Sequence, residues 1–198
     1  GARTFFSLVL SLSRFPLFFF FFLSLSLSLS QIIKPENCLV SEFLTAQLTD
    51  FGTSRFKDHD SDSLMTGVGT PMFAAPELMR GDVYDESVDV YSFAILLLAM
   101  AVEEDLLSWF PKRYEATVKK SKKPPKIMKV LRSVWENGWR PYSAEDAEAA
   151  NNTAPSGGDG EGVVGDDPLS FAPPSIRSLI IRCGNHDPKA RPTFEEIM

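Results

Sequence analysis

Residues 34–52 read KPENCLVSEFLTAQLTDFG, and this stretch decides the fold. Two short apolar runs, at 38–40 and 47–49, flank a loop and predict a β-hairpin. The hairpin would bring Asn37 and Asp50 side by side, although they lie thirteen positions apart. A neutral amide oxygen and a carboxylate are ligands that Mg²⁺ takes together with substrate phosphates. The stretch therefore predicts a site that handles a nucleotide triphosphate and its magnesium ions.

Three motifs follow one another in a fixed order. They are Asn37 within KPEN, Asp50-Phe51-Gly52, and Ala75-Pro76-Glu77. Their order and spacing resemble the catalytic and activation segments of a eukaryotic protein kinase. The resemblance implies a mainly α fold, the large C-terminal lobe of a kinase, with a small β-hairpin at the metal-binding segment. Lysine at position 34 and the run Gly69-Thr70-Pro71 resemble the serine/threonine type, and residues 48–54 resemble the tyrosine-kinase-like branch.

The resemblance assigns a catalytic site that lacks one member. It implies that ATP and Mg²⁺ are the cofactors, held by Asn37 and Asp50, and that Lys34 is the catalytic lysine. In the family, His-Arg-Asp-Leu precedes this lysine, whereas the present sequence has Ser-Gln-Ile-Ile. The aspartate that accepts the substrate's hydroxyl proton is thereby replaced by Ile32, and the arginine that pairs with an activation-loop phosphate by Gln31. We therefore predict that the printed chain transfers no phosphoryl group.

The segment between residues 53 and 70 is polar and predicts an activation loop. Its candidate phosphorylation sites are Ser61, Ser63 and Thr66, because a phosphate can order such a segment by pairing with arginine. A merely solvated loop is the alternative, since the partner arginine is replaced. The resemblance implies that Thr70 helps to hold the catalytic lysine.

Residues 88–100 are almost wholly apolar and predict a helix that is buried on all sides. Within this run, Asp89 matches the family aspartate that anchors the backbone of the catalytic loop, which is a structural role. Glu77 and Arg191 match a buried ion pair that links the activation segment to the closing helices. Removing one partner of such a pair typically costs about 3–5 kcal/mol.

The C-terminal part contains two segments of opposite charge. Residues 112–132 are basic, which usually indicates a solvated helix face, with a docking patch for an acidic partner as the alternative. Tyr142 and the acidic insertion at 143–167 offer little to bury, which predicts disorder. A helix is predicted over 175–182, and Gly184 stands where the family has tryptophan, which should weaken packing.

Residues 1–31 are a low-complexity segment rich in Phe, Ser and Leu, unlike the partial kinase domain over 32–198. The alternatives are a transmembrane helix, a signal peptide, a strand or translated intron. We favour translated intron, because residues 15–30 can all be encoded by codons of C and T alone, as in the tract before a splice acceptor. The small lobe, with its Gly-rich phosphate loop and its strand lysine, would then be missing from this sequence.

The composition excludes some classes of protein. The 198 residues are 44% hydrophobic and 23% charged, which is typical of one globular domain. A formal net charge of −6 argues against a nucleic-acid partner. Cys38 and Cys183 lie in apolar patterns without metal-ligand spacing, which indicates reduced, buried thiols of a cytoplasmic protein.

Three functions remain open at this point. The first is a serine/threonine protein kinase that acts on a protein substrate, of which this chain is a partial, inactive form. The second is a pseudokinase that keeps Asn37 and Asp50 but serves as a binding scaffold for a partner. The third is a membrane-anchored interaction protein with its Phe-rich start in lipid, although four of the seven residues 24–30 are serine, which disfavours a membrane span.

Overall fold

The computed structural model describes residues 33–43, 45–49, 70–102, 104–118, 125–143, 169 and 172–198. These residues form two strands, β1 (Cys38–Val40) and β2 (Ala46–Leu48), and six helices: α1 (Pro76–Arg80), α2 (Ser87–Ala101), α3 (Leu106–Val118), α4 (Ile127–Asn137), α5 (Pro174–Cys183) and α6 (Phe194–Ile197). Short 3₁₀ turns lie at Pro35–Asn37, Thr70–Met72 and Pro188–Ala190. The described part is mainly helical with one small antiparallel sheet, as predicted.

The strands β1 and β2 form the predicted hairpin. They pair antiparallel, with Cys38 opposite Leu48. At the turn, the Ser41 amide donates to the Thr45 carbonyl at 2.9 Å, and the Thr45 amide donates to Ser41 Oγ at 3.2 Å. Because side chains alternate along a strand, Cys38 packs against the core while Leu39 points to solvent, with 54% of its surface exposed.

The centre of the core is α2, which packs against α5. Twelve of its fifteen residues are buried, so the prediction of a helix without a polar face is confirmed. The helix begins where the Asp85 carboxylate accepts a hydrogen bond from the Ser87 amide at 3.0 Å, which satisfies one of the amides that lack an intrahelical partner. Within the described ranges no helix, α2 included, is both long and apolar enough to cross a membrane.

Helices α3 and α4 pack against each other, and α4 also packs against α1. In α4 the buried residues Val130, Leu131 and Val134 recur at helical spacing, while Lys129 on the opposite side is exposed. Pro111 lies inside α3, where it removes one backbone hydrogen bond but buries its ring.

The two ends of the acidic insertion are anchored in the core. Tyr142 is only 3% exposed, and Leu169 and Ala172 are buried as well. The prediction that the disordered segment includes Tyr142 is therefore wrong. The reason is that Arg113 of α3 donates from Nε to the Pro141 carbonyl at 3.2 Å and holds the chain against this helix. Residues 144–168, which contain the acidic side chains, lie outside the described part, as does the Phe-rich segment 1–31.

The C-terminal elements close the fold. The helix predicted over 175–182 is present as α5, and the short α6 begins with a capping box in which Thr193 and Glu196 exchange side-chain and backbone hydrogen bonds. After α5 the backbone lies close to its neighbours at Gly184, since a Cβ there would be 2.7 Å from the Ile180 carbonyl oxygen. This position therefore has no space for a side chain unless the backbone moves.

Candidate functional site

The base of the hairpin places Asn37 next to the residue that precedes Asp50. Asn37 ends a 3₁₀ turn that begins at Pro35, and only 3% of its surface is exposed. Its carbonyl oxygen accepts two hydrogen bonds from Thr49, one from the amide at 2.8 Å and one from the hydroxyl at 3.3 Å. The antiparallel pairing thus brings the chain back to Asn37 at Thr49. The next residue in the sequence is Asp50, whose own position lies outside the described part.

Lys34 immediately precedes this turn. Its carbonyl accepts a hydrogen bond from the Asn37 amide at 3.0 Å, and its side chain is half-buried. Ile33, the residue before it, is 4% exposed and belongs to the core. Lys34 thus lies between two buried residues of the chain, Ile33 and Asn37.

Several of the predicted site residues lie outside the described part of the chain. They are the residues at the positions of the missing base and arginine, the second metal ligand and the candidate phosphorylation sites: Gln31, Ile32, Asp50, Ser61, Ser63 and Thr66. Thr70 is described only as the first residue of the turn Thr70–Met72. Their functional roles therefore remain predictions.

The described part of the hairpin contains one candidate metal ligand, Asn37, and a neighbouring thiol, Cys38. In the described ranges, no group of three or more His, Cys, Asp and Glu side chains is placed to hold a metal ion. The neighbouring Cys38 does not offer a thiolate, because burial, followed by the negative charge of Glu36, raises the pKa of its thiol to about 11.

A buried ion pair joins α1 to the C-terminal segment. Arg191 Nη1 donates to one carboxylate oxygen of Glu77 at 2.5 Å, and Nη2 donates to the other at 2.8 Å. The same guanidinium donates to the carbonyls of Asn185 at 2.7 Å and Ser87 at 3.0 Å. Its central carbon lies 5.1 Å from the centre of the Tyr91 ring, within the range of a cation–π contact. One arginine therefore links α1, the start of α2 and residues 184–191 after α5, which we call the closing loop.

Two polar residues of α2, Ser92 and Asp89, are buried, and of these Ser92 was not singled out in the sequence. Ser92 Oγ lies 2.8 Å from the Phe73 carbonyl and 3.0 Å from the Val88 carbonyl, so it ties the segment before α1 to the central helix. Asp89 is 8% exposed in the first turn of α2, where the helix dipole favours a negative charge. The sequence signal for both residues was a polar side chain inside an apolar run, because a polar group that is buried needs a hydrogen-bond partner.

Several known proteins have sequences similar to this chain. The chain is 32% identical over 168 residues to the probable serine/threonine-protein kinase drkC of Dictyostelium discoideum. The aligned region covers 84% of this chain and 17% of that protein. It is 28% identical over 170 residues to the dual specificity protein kinase shkB of the same organism. Here the aligned region covers 83% of this chain and 20% of that protein. The chain thus spans about a fifth or less of the length of these two relatives.

A viral relative matches a shorter part. A putative serine/threonine-protein kinase/receptor of Acanthamoeba polyphaga mimivirus is 46% identical over 65 residues, which covers 33% of this chain and 4% of that protein. The protein kinase domain as a family matches residues 32–198, the whole sequence after the Phe-rich start. Over this range the chain belongs to the protein kinase family.

Proposed function

We propose that this chain carries the large lobe of a protein kinase that transfers the γ-phosphoryl group of ATP to serine or threonine hydroxyls of proteins. The observation that carries the proposal is the closure of the hairpin, in which Thr49 bonds twice to the Asn37 carbonyl. In the sequence, Asp50 follows Thr49 directly. The serine/threonine and dual-specificity names of the relatives support the substrate class.

The residues at the hairpin fit a complex of Mg²⁺ with ATP. Asn37 would supply a neutral oxygen and Asp50 a carboxylate, and these are the ligand types that Mg²⁺ accepts beside phosphates. When bound, the metal neutralises negative charge on the phosphates and orients them for transfer. Lys34, three residues before Asn37, would add a positive charge near the transferred group.

The printed chain lacks the group that would receive the proton from the substrate hydroxyl. In the family an aspartate has this task, and position 32 here is isoleucine, which has no acceptor. Residues 32–198 match the protein kinase domain. We propose that they correspond to its large lobe, because no part of the printed sequence resembles the Gly-rich loop or the strand lysine that cover the phosphates. We propose that this polypeptide by itself transfers no phosphoryl group. We also propose that it belongs to the tyrosine-kinase-like branch of the family and that it is located in the cytoplasm, where ATP is available.

Saturation-transfer NMR on the full chain tests the metal site, because the method detects weak binding. We expect an ATP signal that requires Mg²⁺ and that decreases in the variant Asp50→Asn. The matched control is Asp167→Asn, which removes the same charge in the acidic insertion. Equal ATP signals in the two variants, or a signal that does not change when Mg²⁺ is chelated, would contradict the assignment of Asp50.

A radiolabelled-phosphate assay on a generic basic protein tests the loss of activity. We expect no incorporation above the background without enzyme, both for the parent chain and for Asp50→Asn. Incorporation by the parent that disappears in Asp50→Asn would show that Ile32 does not prevent catalysis and would overturn this part of the proposal.

A binding scaffold of the pseudokinase type is the second candidate function. The sequence observation in its favour is Ile32, and the structural one is the exposed apolar side of the hairpin, where Leu39 is 54% and Phe43 83% exposed. Replacing Ile32 by Asp separates the two candidates when the domain is supplied with a small lobe. Restored activity favours a kinase that lost its base, whereas continued inactivity favours a scaffold.

Membrane anchoring through residues 1–31 is the third candidate, and the described residues add nothing in its favour. Extraction of membranes with alkaline buffer tests it, since an inserted segment keeps the protein in the pellet. A tagged protein that stays in the supernatant excludes it.

A further inference from the structure

Arg80, the last residue of α1, connects three parts of the chain. Its Nε donates to Asp82 Oδ2 at 2.7 Å, and its Nη1 donates to the Trp135 carbonyl at 2.7 Å. The same Nη1 lies 3.2 Å from His186 Nε2. The contacts join residues that are 55 and 106 positions apart in sequence.

The contact with Trp135 has a clear physical basis. Trp135 lies in the last turn of α4, where carbonyl groups have no intrahelical partner. A guanidinium that donates to such a carbonyl also interacts favourably with the negative end of the helix dipole. Arg80 therefore attaches α1 to the C-terminal end of α4, in addition to the packing of these two helices.

The contact with His186 requires a neutral imidazole. A guanidinium only donates hydrogen bonds, so His186 Nε2 must accept, and the ring proton of this tautomer is on Nδ1. A second proton on the imidazole would bring two cations together at 3.2 Å. The backbone of His186 is held separately, because its carbonyl lies 3.4 Å from Arg191 Nη2. This contact involves the backbone alone, so the protonated ring itself can move away from Arg80.

The charges around His186 are mostly positive. From α1 it faces Arg80 and Glu77, from the segment after α4 it faces Arg140, and from the C-terminal segment it faces Arg191. Burial is the main cause that lowers the pKa of this imidazole, followed by the positive charges of Arg80 and Arg191. Glu77 acts in the opposite direction, but its carboxylate is already bonded to Arg191.

We propose that Arg80 and His186 form a pH-sensitive latch between α1, α4 and the closing loop. The latch is closed when His186 is neutral and opens in mild acid, when the protonated ring repels Arg80. The same Arg80 donates to the Trp135 carbonyl of α4. Displacement of Arg80 when the latch opens therefore loosens α1 from α4. The latch concerns conformation alone and does not depend on whether the chain binds ATP.

The direction of the pH effect follows from the lowered pKa. The unfolded chain has a histidine pKa of about 6.5, and the folded value is lower. Above about pH 6.5 the latch contributes fully to stability. As the pH falls below that value, the unfolded chain binds more protons than the folded chain, and the contribution is lost until the folded pKa is passed.

The sequence offers a clean test, because it contains two histidines, His59 and His186. In the full-length variant His59→Gln, the His186 ring is the single titrating imidazole. Amide hydrogen exchange read by NMR then gives protection factors for Gly81 and Asp82, whose amides bond to carbonyls of α1. We expect these factors to fall several-fold between about pH 7 and about pH 5.

The matched variant is His59→Gln/His186→Gln, in which the glutamine oxygen can accept from Arg80 but does not titrate. Its protection factors at Gly81 and Asp82 should stay constant over the same range. An equal fall in both variants would overturn the latch. If the double variant does not fold, the NMR titration of the parent decides, because a His186 midpoint at or above that of His59 would equally contradict the proposal.

Discussion

Replacing Arg191 by methionine should remove much of the stability of the fold. The guanidinium and the Glu77 carboxylate are almost fully buried, with 0% and 3% of their side-chain surface exposed. Methionine keeps much of the volume but donates no hydrogen bond. The Glu77 carboxylate is then left buried without its counter-ion, and the carbonyls of Asn185 and Ser87 each lose a donor.

The expected cost follows from these lost contacts. Leaving one charge of a buried pair uncompensated costs about 3–5 kcal/mol. Small domains have a total free energy of unfolding of about 5–15 kcal/mol, so Arg191→Met leaves a marginal protein. With an m-value of about 2 kcal/mol/M, a loss of about 4 kcal/mol lowers the urea midpoint by about 2 M.

Urea unfolding of the full chain, followed by tryptophan fluorescence, measures this change. The control is Arg132→Met on α4, which breaks an ion pair with Glu136 at 3.6 Å, where the side chains are 73% and 57% exposed. Removing that exposed pair should cost less than about 1 kcal/mol. The double variant Glu77→Leu/Arg191→Met should recover part of the loss, because neither charge then remains buried.

Two results would refute this reasoning. One is a urea midpoint of Arg191→Met that equals the midpoint of the Arg132→Met control. The other is a double variant less stable than Arg191→Met, since it would mean that the lost carbonyl contacts and the packing around Tyr91, rather than the uncompensated charge of Glu77, dominate the cost.

Three further predictions concern single side chains. Gly184→Ala should cost about 1–3 kcal/mol in urea unfolding, because its Cβ would lie 2.7 Å from the Ile180 carbonyl oxygen; an unchanged midpoint would contradict this. Leu98→Ala removes a side chain that is 1% exposed and should cost about 2–5 kcal/mol, whereas Leu39→Ala at the exposed hairpin should change stability by less than about 0.5 kcal/mol. Burial raises the pKa of the Cys183 thiol to about 11, so its thiolate fraction at pH 8 is on the order of one in a thousand. Iodoacetamide should therefore modify Cys183 much more slowly in the folded protein than in urea, as mass spectrometry of the peptide will measure.

Local patterns predicted much of the fold. The hairpin followed from two apolar runs around a loop, and α2 followed from an apolar run of helical length. These signals work because the sequence period and the burial of an element are properties of a few neighbouring residues. The basic run at 112–132 predicted a solvated helix face, and part of it lies in α3, but the beginning of α3 before Pro111 was not predicted. Tyr142 was assigned to a disordered segment because residues 142–167 are rich in Ala, Asn, Gly, Asp and Glu and offer little to bury.

The candidate site was predictable to the extent that it is local. Asn37 and Thr49 meet because a hairpin returns the chain to its start, which the sequence alone implies. The contacts of Arg80 with Trp135 and His186 could not be foreseen, since they join three elements that are far apart in the chain. Which side chains meet across such distances depends on the angles and positions at which helices pack. These packing angles and positions depend on side chains from the whole core, so they cannot be predicted from a short window of sequence.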